Sequence, residues 1–276
     1  MIANNQILYH YTSQANLQNI IKSKQLWMRE ASALNDTTEI VHFTEHLNSL
    51  LSGREYQVPE ARLKVTFFLQ SITPKLYGIA SFSSEGDYLN MWRLYGDNTK
   101  GCAIGFKSEG LRRIQKSTLN PRAIVLRTIN DVMLKPVQYE DFPGKVMLDA
   151  CLEATPPPKG VISTAFEKIR WKLMEAACSM KKTSYREEKE VRLIKHFRDY
   201  YRTDHSIYEL GFLEQHYHQD GNGYLIYKHD FLPEQIDEVI LGCNCPMKED
   251  EVYDLLAACD YPQTITVKRS THLHRI

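Results

Sequence analysis

Three short stretches of the chain carry side chains that could bind a ligand or act on it. Residues 8–13 place a histidine between two tyrosines, residues 81–83 read Ser-Phe-Ser, and residues 185–192 read Tyr-Arg-Glu-Glu-Lys-Glu-Val-Arg. Imidazole, hydroxyl and carboxylate groups together offer hydrogen bonding and general acid–base catalysis. Each stretch alone also has a structural interpretation: a histidine bonded in the core, a polar strand end that caps a helix, or a solvated charged strand face.

Hydrophobic periodicity indicates the elements that position the first two stretches. Residues 7–12 and 77–83 are both predicted to be strands, since they combine aromatic, β-branched and small residues. His10, on a strand that is followed by a helix, would project into a cleft at the sheet edge. Alternation along the second strand places Ser81 and Ser83 on one face, where two hydroxyls could hold the polar edge of a ligand.

The third stretch is also predicted to enter a strand, over residues 188–196. Val191 would lie on one face of it, and Glu188, Glu190 and Arg192 on the other. Two carboxylates beside a guanidinium could form a row of ion pairs, or they could stabilise positive charge on a ligand. This stretch by itself leaves the two interpretations open.

Strands and helices alternate without a regular β-α-β order along the chain, which favours the α+β class. Ser13 is expected to cap the helix that follows the first strand. The other predicted strands are 26–29, 102–106, 123–127, 132–137, 223–228, 238–242 and 264–268. The predicted helices are 14–24, one that begins after Asp36 or Thr37 and carries Ile40, Phe43, Leu47 and Leu50 on one face, 87–95, 161–182 and 248–258.

Taken together, the three stretches resemble the split active site of the ADP-ribosyltransferase fold. That fold carries a His or Arg on an early strand, a Ser-x-Ser or aromatic motif on a central strand and a Glu on a later strand. The chain is also similar to a bacterial domain family with His-Tyr-Thr, Leu-Asn-Asp-x-x-Glu, Ser-Phe-Ser, Met-Trp-x-x-Tyr-Gly-x-x-x-x-Gly and Tyr-x-x-Glu-x-Glu-x-Arg motifs. These stand here at residues 10–12, 34–39, 81–83, 91–101 and 185–192, with a loose match in the loop 96–101.

The resemblance runs from about residue 7 to residue 245 and implies a fold, a cofactor and a reaction. The implied fold is an ADP-ribosyltransferase-like split mixed β-sheet core with surrounding helices. It would form a single domain over residues 1–276, with a helical insertion around 140–183. The implied reaction transfers ADP-ribose from NAD, which serves as co-substrate, and needs no metal.

The resemblance also assigns roles to residues of this chain. Glu190, the second carboxylate of Glu-x-Glu, would stabilise the oxocarbenium-like ribose that forms when nicotinamide leaves. Glu188 would orient or deprotonate the acceptor, and His10 would hydrogen-bond the NAD ribose with Thr12 nearby. Either Trp92 or Tyr95 would stack on the nicotinamide or another base. The remaining expected cofactor-binding residues are Tyr11, Asn35, Asp36, Ser81, Ser83 and Arg192.

The acceptor is the least determined part of this hypothesis. The chain has 34 basic and 34 acidic side chains, which gives no global attraction to nucleic acid. Arg93, Arg112, Arg113 and Arg122 could still form a local groove, so RNA or single-stranded nucleic acid is slightly favoured over protein. Relatives of this type resemble bacterial toxin and phage-defence components, which implies a possible antitoxin partner.

Two other functions are compatible with the sequence. The first is a zinc hydrolase, since His42, Glu45 and His46 match the inverted zinc-protease motif H-x-x-E-H, in which two histidines at i and i+4 share a helix face and bind zinc. Both histidines lie opposite the apolar stripe of that helix, and the third ligand could be His216 or His218. The second alternative is a catalytically inactive module that binds a nucleotide or a partner.

The rest of the sequence suggests a cytoplasmic protein with no membrane partner. The six cysteines contain no C-x-x-C pair, which favours reduced thiols. The N-terminus lacks a basic segment followed by an apolar stretch, and no run of about 18 apolar residues occurs. His272 and His274 are expected at the surface or in a disordered tail.

Overall fold

The computed structural model describes residues 2–3, 5–34, 38–50, 53, 66, 74–111, 132–139, 149, 164–197 and 215–272. The side chains of residues 38–42, 44 and 164–171 are not among those described. Several predictions lie outside the described residues, namely the strand 123–127, Asn35, Asp36, Arg112, Arg113, Arg122 and His274. They stay predictions.

The described residues form twelve strands and six α-helices. The strands are β1 (Ile7–Thr12), β2 (Gln25–Glu30), β3 (Tyr77–Ser83), β4 (Cys102–Lys107), β5 (Val132–Pro136), β6 (Gln138–Tyr139), β7 (Met180–Lys181), β8 (Glu190–His196), β9 (Tyr217–Gln219), β10 (Leu225–Asp230), β11 (Ile236–Leu241) and β12 (Thr266–Arg269). The helices are α1 (Gln14–Ser23), α2 (Thr38–Leu50), α3 (Leu89–Leu94), α4 (Ser108–Leu111), α5 (Thr164–Ser179) and α6 (Glu249–Ala258).

The chain divides into two compact units. The first comprises Met1–Arg29, Gly78–Pro136 and Glu187–Ile276, and the second comprises Glu30–Tyr77 and Val137–Arg186. The single domain with a helical insertion that the sequence suggested stays a prediction.

A large mixed sheet dominates the first unit. Its strand order is β12-β11-β4-β1-β3-β2-β10-β9, and β8 pairs with both β3 and β5. Since β3 pairs with β1, β2 and β8, the sheet forks at this strand. Most pairs are antiparallel, whereas β11 and β12 run parallel. A mixed sheet with helices in irregular order confirms the predicted α+β class.

The two faces of this sheet carry different residues. One face, termed the core face, carries the larger hydrophobic cluster, which includes Leu8, Phe82, Ile104, Leu193 and Val239. The other face, termed the aromatic face, carries a smaller cluster of Tyr11, Met91, Trp92, Ala103 and Ile240, with Tyr9, Tyr88 and Tyr95 packed against it. The register explains this division, because partners that lie opposite each other in antiparallel strands share a face.

Local sequence explains the first helix as predicted. Ser13 caps α1, and its hydroxyl accepts a hydrogen bond from the amide of Asn16 at 3.2 Å. Lys24 ends the helix in the left-handed conformation, with φ of 55°. Leu17 and Ile21 on the buried face are fully inaccessible to solvent, as the apolar spacing predicted.

The predicted strands 223–228, 238–242 and 264–268 are present with bounds shifted by one or two residues, and two other segments of the later half have a different type of structure from the predicted one. The helix predicted over 161–182 ends at Ser179, and Met180–Lys181 forms β7, which pairs in parallel with β6. The strand predicted from residue 188 begins at Glu190, because Thr183–Glu188 forms a 3-10 helix. A strand of two residues is too short to show a periodic pattern in the sequence. Whether it forms therefore depends on the strand with which it pairs.

The second unit contains α2, α5 and the small sheet of β6 and β7. Phe43 and Leu47 of α2 are fully buried, as the apolar stripe of that helix predicted. The Lys181 ammonium lies 4.8 Å from the centre of the Tyr185 ring, in a cation–π contact.

His229 on β10 makes the stability of the fold depend on pH. Burial lowers the pKa of its imidazole to about 4, with Asp230 acting in the opposite direction and Lys195 adding to the lowering. The unfolded state, with a histidine pKa near 6.5, binds the proton first as the pH falls. We therefore expect the free energy of unfolding to fall as the pH drops from about 6.5 to about 4.

The variant His229→Leu isolates this contribution. We expect urea unfolding at several pH values to show a smaller fall in the free energy of unfolding for the variant than for wild type, because leucine cannot bind a proton. Equal losses over this pH range would contradict a buried neutral imidazole.

Candidate active site

His10 lies where β1 and β3 diverge. β1 pairs with β4 along its whole length, whereas within the described residues its pairing with β3 is recorded at the Tyr9–Ser83 register. The Nδ1 atom of His10 lies 3.0 Å from the carbonyl oxygen of Ser81. The half-buried ring also packs against Phe82, with 5.7 Å between ring centres. The His10 imidazole thus forms a hydrogen bond with the Ser81 carbonyl, which a backbone amide of an adjacent strand would otherwise bond.

The protonation of His10 follows from these contacts. Burial lowers the pKa of His10, and the hydrogen bond to Ser81 acts in the opposite direction. The ring is therefore neutral at pH 7, and Nδ1 must carry the proton because a carbonyl can only accept. Nε2 is then a hydrogen-bond acceptor, suited to a hydroxyl of a ligand.

Glu188 lies at the centre of the contacts on the aromatic face. The Tyr95 hydroxyl donates to Glu188 Oε1 at 2.9 Å, and the Ser83 hydroxyl donates to the Glu188 carbonyl at 2.8 Å. The next residue, Lys189, has φ of 45°, a left-handed conformation that few lysines adopt. This turn breaks the alternation between residues 188 and 190. The expectation that Glu188 shares a strand face with Glu190 was therefore wrong, since Glu188 ends a 3-10 helix.

Glu190 and Arg192 form a buried ion pair on β8. Arg192 Nε lies 2.8 Å from Glu190 Oε1, and Arg192 Nη2 lies 3.1 Å from Oε2. The two side chains are 5% and 2% exposed, so the pair is shielded from water. Val191 belongs to the hydrophobic cluster of the core face, and alternation places Glu190 and Arg192 on the opposite face. These two residues share a face as the sequence predicted.

Trp92 and Tyr95 differ in what they can offer a ligand. Trp92 is fully buried, with Tyr11 packed edge-on at 4.9 Å, so it presents no ring face to solvent. Tyr95 is half-buried. The expected stacking role therefore stays with Tyr95, while Trp92 supports it from inside the cluster.

Tyr11, Thr12, Ser81 and Ser83 are further predicted binding residues, and of these only Ser81 is exposed. The Tyr11 hydroxyl donates to the Glu85 carbonyl at 2.8 Å and accepts from the Tyr88 amide at 3.2 Å, which fixes the loop before α3. Thr12 is buried on the core face beyond His10. Ser81 is exposed, whereas Ser83, on the same face of β3, is fully buried.

The two neighbours of Glu188 in sequence, Glu187 and Lys189, make polar contacts that the sequence analysis missed. Lys189 Nζ lies 2.7 Å from Glu85 Oε1. Glu187 Oε2 accepts from Asn90 at 2.7 Å and from the Tyr88 hydroxyl at 3.2 Å. Only Glu187 and Lys189 fall within the third stretch. Their partners lie in the loop and helix between β3 and β4, where no short motif marks them.

The zinc hypothesis gains no support from the described side chains. They contain no group of three or more His, Cys, Asp or Glu arranged to hold a metal ion. Glu45 is exposed and His46 is half-buried on α2, and the His42 side chain lies outside the described residues. His216 is bonded to Asp230 at 2.9 Å, and His218 packs edge-on against Trp27 at 4.9 Å.

Comparisons with known proteins give one match. None of the described helices is both long enough and apolar enough to cross a membrane. No curated protein and no solved structure matches the chain. The profile of one family, described as a protein of unknown function (DUF2971), matches residues 91–193. This match covers Trp92, Tyr95, Glu188, Glu190 and Arg192 of the candidate site, whereas β1 and β3 lie outside it.

Proposed function

We propose that the chain is an ADP-ribosyltransferase that transfers ADP-ribose from NAD to a macromolecular acceptor. The observation that supports this proposal most is the Tyr95–Glu188 hydrogen bond, made where the Ser83 hydroxyl meets the same residue. It brings together groups from β3, the C-terminal end of α3 and the 3-10 helix that precedes β8. Glu190 follows two residues later on the aromatic face.

The proposed reaction exchanges one bond at the anomeric carbon of the NAD ribose. The bond to nicotinamide breaks, nicotinamide leaves with the electron pair, and the acceptor nucleophile forms a new bond to that carbon. Positive charge develops on the ribose as the bond breaks, so a nearby carboxylate stabilises the transition state. Glu190 supplies this carboxylate, and Arg192 orients it through hydrogen bonds to both of its oxygens.

One further carboxylate on the aromatic face completes the proposed chemistry. His10 pairs with Ile104 and lies on the core face, opposite to Glu190, so the expected hydrogen bond of its Nε2 to the NAD ribose stays a prediction. Glu188 takes the proton of the acceptor nucleophile, with the Tyr95 hydroxyl orienting its carboxylate. Tyr95 also stacks on the nicotinamide or on a base of the acceptor.

RNA or single-stranded nucleic acid is the acceptor we favour, ahead of protein. Arg93 is exposed beside Tyr95 on α3 and could contact a phosphate. The role as a bacterial toxin or phage-defence effector, and an antitoxin partner, rest on the family resemblance.

Incubation with labelled NAD and separate pools of cell RNA, DNA and protein tests the proposal. Wild type should transfer label to one pool. Glu190→Gln should lose transfer by about 100-fold or more, because the glutamine amide cannot stabilise the developing charge as a carboxylate does. The exposed Glu234→Gln variant is the matched control and should keep full activity. Circular dichroism would verify that all three proteins are folded.

A non-catalytic module that binds a nucleotide or a partner is the second candidate. One observation favours it: both carboxylate oxygens of Glu190 are already bonded by Arg192. Nicotinamide release and label transfer decide between the two. Binding of NAD by wild type without release of nicotinamide, in the presence of all three pools, would support the binding module and contradict the transferase.

A further inference from the structure

Asp87 joins two parts of the first unit that are far apart in sequence. Its Oδ1 accepts hydrogen bonds from Trp92 Nε1 at 2.7 Å and from Ser270 Oγ at 2.5 Å. Its Oδ2 accepts from the Thr271 amide at 3.1 Å and from Thr271 Oγ1 at 3.3 Å. A carboxylate has about four lone-pair sites, so these donors use them all. Burial by itself would raise the pKa of Asp87, but these hydrogen bonds outweigh it and lower that pKa.

His272 also holds residues 270–272 against Asp87, through contacts other than those of the Asp87 carboxylate. Its Nε2 lies 2.9 Å from the carbonyl oxygen of Asp87, and its amide donates to Ser270 Oγ at 3.2 Å. The Ser270 amide donates to the Leu241 carbonyl of β11 at 2.7 Å. Residues 270–272, which directly follow β12, are thereby held against the loop that precedes α3.

The orientation of Trp92 depends on this contact and sets the position of α3. A buried indole N–H needs an acceptor, and Asp87 provides the one observed for Trp92. The chain turns tightly around the indole after the helix, since a Cβ atom on Gly96 would lie 2.6 Å from the Trp92 ring. Tyr95, at the end of α3, is thus held at a fixed distance from Trp92 while its hydroxyl reaches Glu188.

We propose that Asp87, Ser270, Thr271 and His272 position α3, so that Tyr95 meets Glu188 in the candidate active site. They are positioning residues, which act through Trp92 and touch no ligand themselves. The identity of the ligand as NAD rests on the proposed function, whereas the effect on Trp92 does not. The segment 270–272 thus belongs to the machinery of the site, although it lies outside every motif of the sequence.

Fluorescence of Trp92 tests the proposal directly. The chain has three tryptophans, so a Trp27→Phe/Trp171→Phe protein reports on Trp92 alone. In this background, Asp87→Asn should raise the acrylamide quenching constant of Trp92 roughly threefold, because the amide offers one acceptor oxygen where the carboxylate offered two. Ser270→Ala, which removes one donor, should raise it less. Asp237→Asn, at a carboxylate 44% exposed and 3.7 Å from Lys107, should leave it unchanged.

Binding of NAD, measured by calorimetry, is the second readout. Asp87→Asn should weaken it about tenfold, the equivalent of one charge-assisted hydrogen bond, and Ser270→Ala should weaken it less. All variants are measured where circular dichroism shows them fully folded. Should Asp87→Asn fail to fold, Ser270→Ala carries the test alone.

The outcomes separate this proposal from the proposed function. Unchanged quenching in the folded variants would overturn the positioning role, even if their unfolding midpoints fell. Wild type that binds no NAD would instead overturn the proposed function. In that case the quenching constants alone would still decide whether Asp87 and Ser270 position Trp92.

Discussion

Replacing Glu190 by alanine is expected to lower the free energy of unfolding by about 3–5 kcal/mol. The reason is that Arg192, 2% exposed, would lose a partner that now bonds it at two nitrogens. Removing one member of a buried pair leaves the other charge away from water, where ionic groups are poorly solvated. Urea unfolding followed by circular dichroism measures the loss.

An exposed ion pair of the same unit is the matched control. Glu85 and Lys189 are 47% and 54% exposed and lie 2.7 Å apart. Glu85→Ala should cost no more than about 1 kcal/mol, because water screens such pairs. A double-mutant cycle adds a second comparison. Glu190→Ala/Arg192→Met should be more stable than the sum of the single changes predicts, since methionine also removes the buried positive charge that Glu190 bonds in the wild type.

This experiment also bears on the catalytic proposal. A loss no larger than that of Glu85→Ala would mean that the Glu190–Arg192 pair contributes little to the fold. It would contradict a rigidly held carboxylate at this position. A large loss would explain why activity must be compared in Glu190→Gln, which keeps the shape of the side chain, with folding checked in parallel.

Gly101→Ala is expected to destabilise the first unit by about 3 kcal/mol, the upper end of what overpacking usually costs. A Cβ atom at this position would lie 2.1 Å from the carbonyl oxygen of Thr12 and 2.9 Å from that of Gly96. Both obstacles are backbone atoms, which cannot rotate away as a side chain can. Either β1 or the loop 96–101 must therefore move.

The same change should disturb the candidate site. The loop 96–101 leads from Tyr95 to β4, and it is anchored where the Gly242 amide donates to the Gly101 carbonyl at 2.9 Å. Moving the loop would shift Tyr95 away from Glu188, so binding of NAD should weaken along with stability. Calorimetry at a temperature where the variant remains folded would measure this second effect.

Gly221→Ala is the control for Gly101→Ala. Nothing lies within 4 Å of a Cβ atom built on Gly221, so alanine should be accommodated with a change below about 0.5 kcal/mol. Equal stability of the two variants would contradict the close approach of Gly101 to Thr12.

The sequence by itself determined the elements with strong periodicity and the segments that carry the candidate site. β1 and β3 have the bounds that alternation predicted, and Ser13 caps α1 as its residue type indicated. These features depend on neighbours a few residues apart, so local preference is enough to specify them. The pairing of Glu190 with Arg192 on one strand face is local in the same sense.

The tertiary structure decided which of those groups meet. Lys189 adopts a left-handed conformation that turns Glu188 out of the strand, although periodicity continued the strand through it. Trp92 has an aromatic ring that could stack on a ligand, yet it is fully buried, with Tyr11 packed edge-on against it. Burial depends on neighbours from distant segments, which the local pattern does not contain.

The long-range hydrogen bonds of Asp87 could not be predicted from the sequence. Asp87 and Ser270 are 183 residues apart and stand in no motif, and the sequence suggested only a surface position or a disordered tail for His272. Pairing of β11 with β12, which ends at Arg269, brings residues 270–272 to Asp87. Sheet order, rather than residue type, thus brings this segment to the loop before α3, because β-sheet pairing joins strands without regard to their distance in sequence.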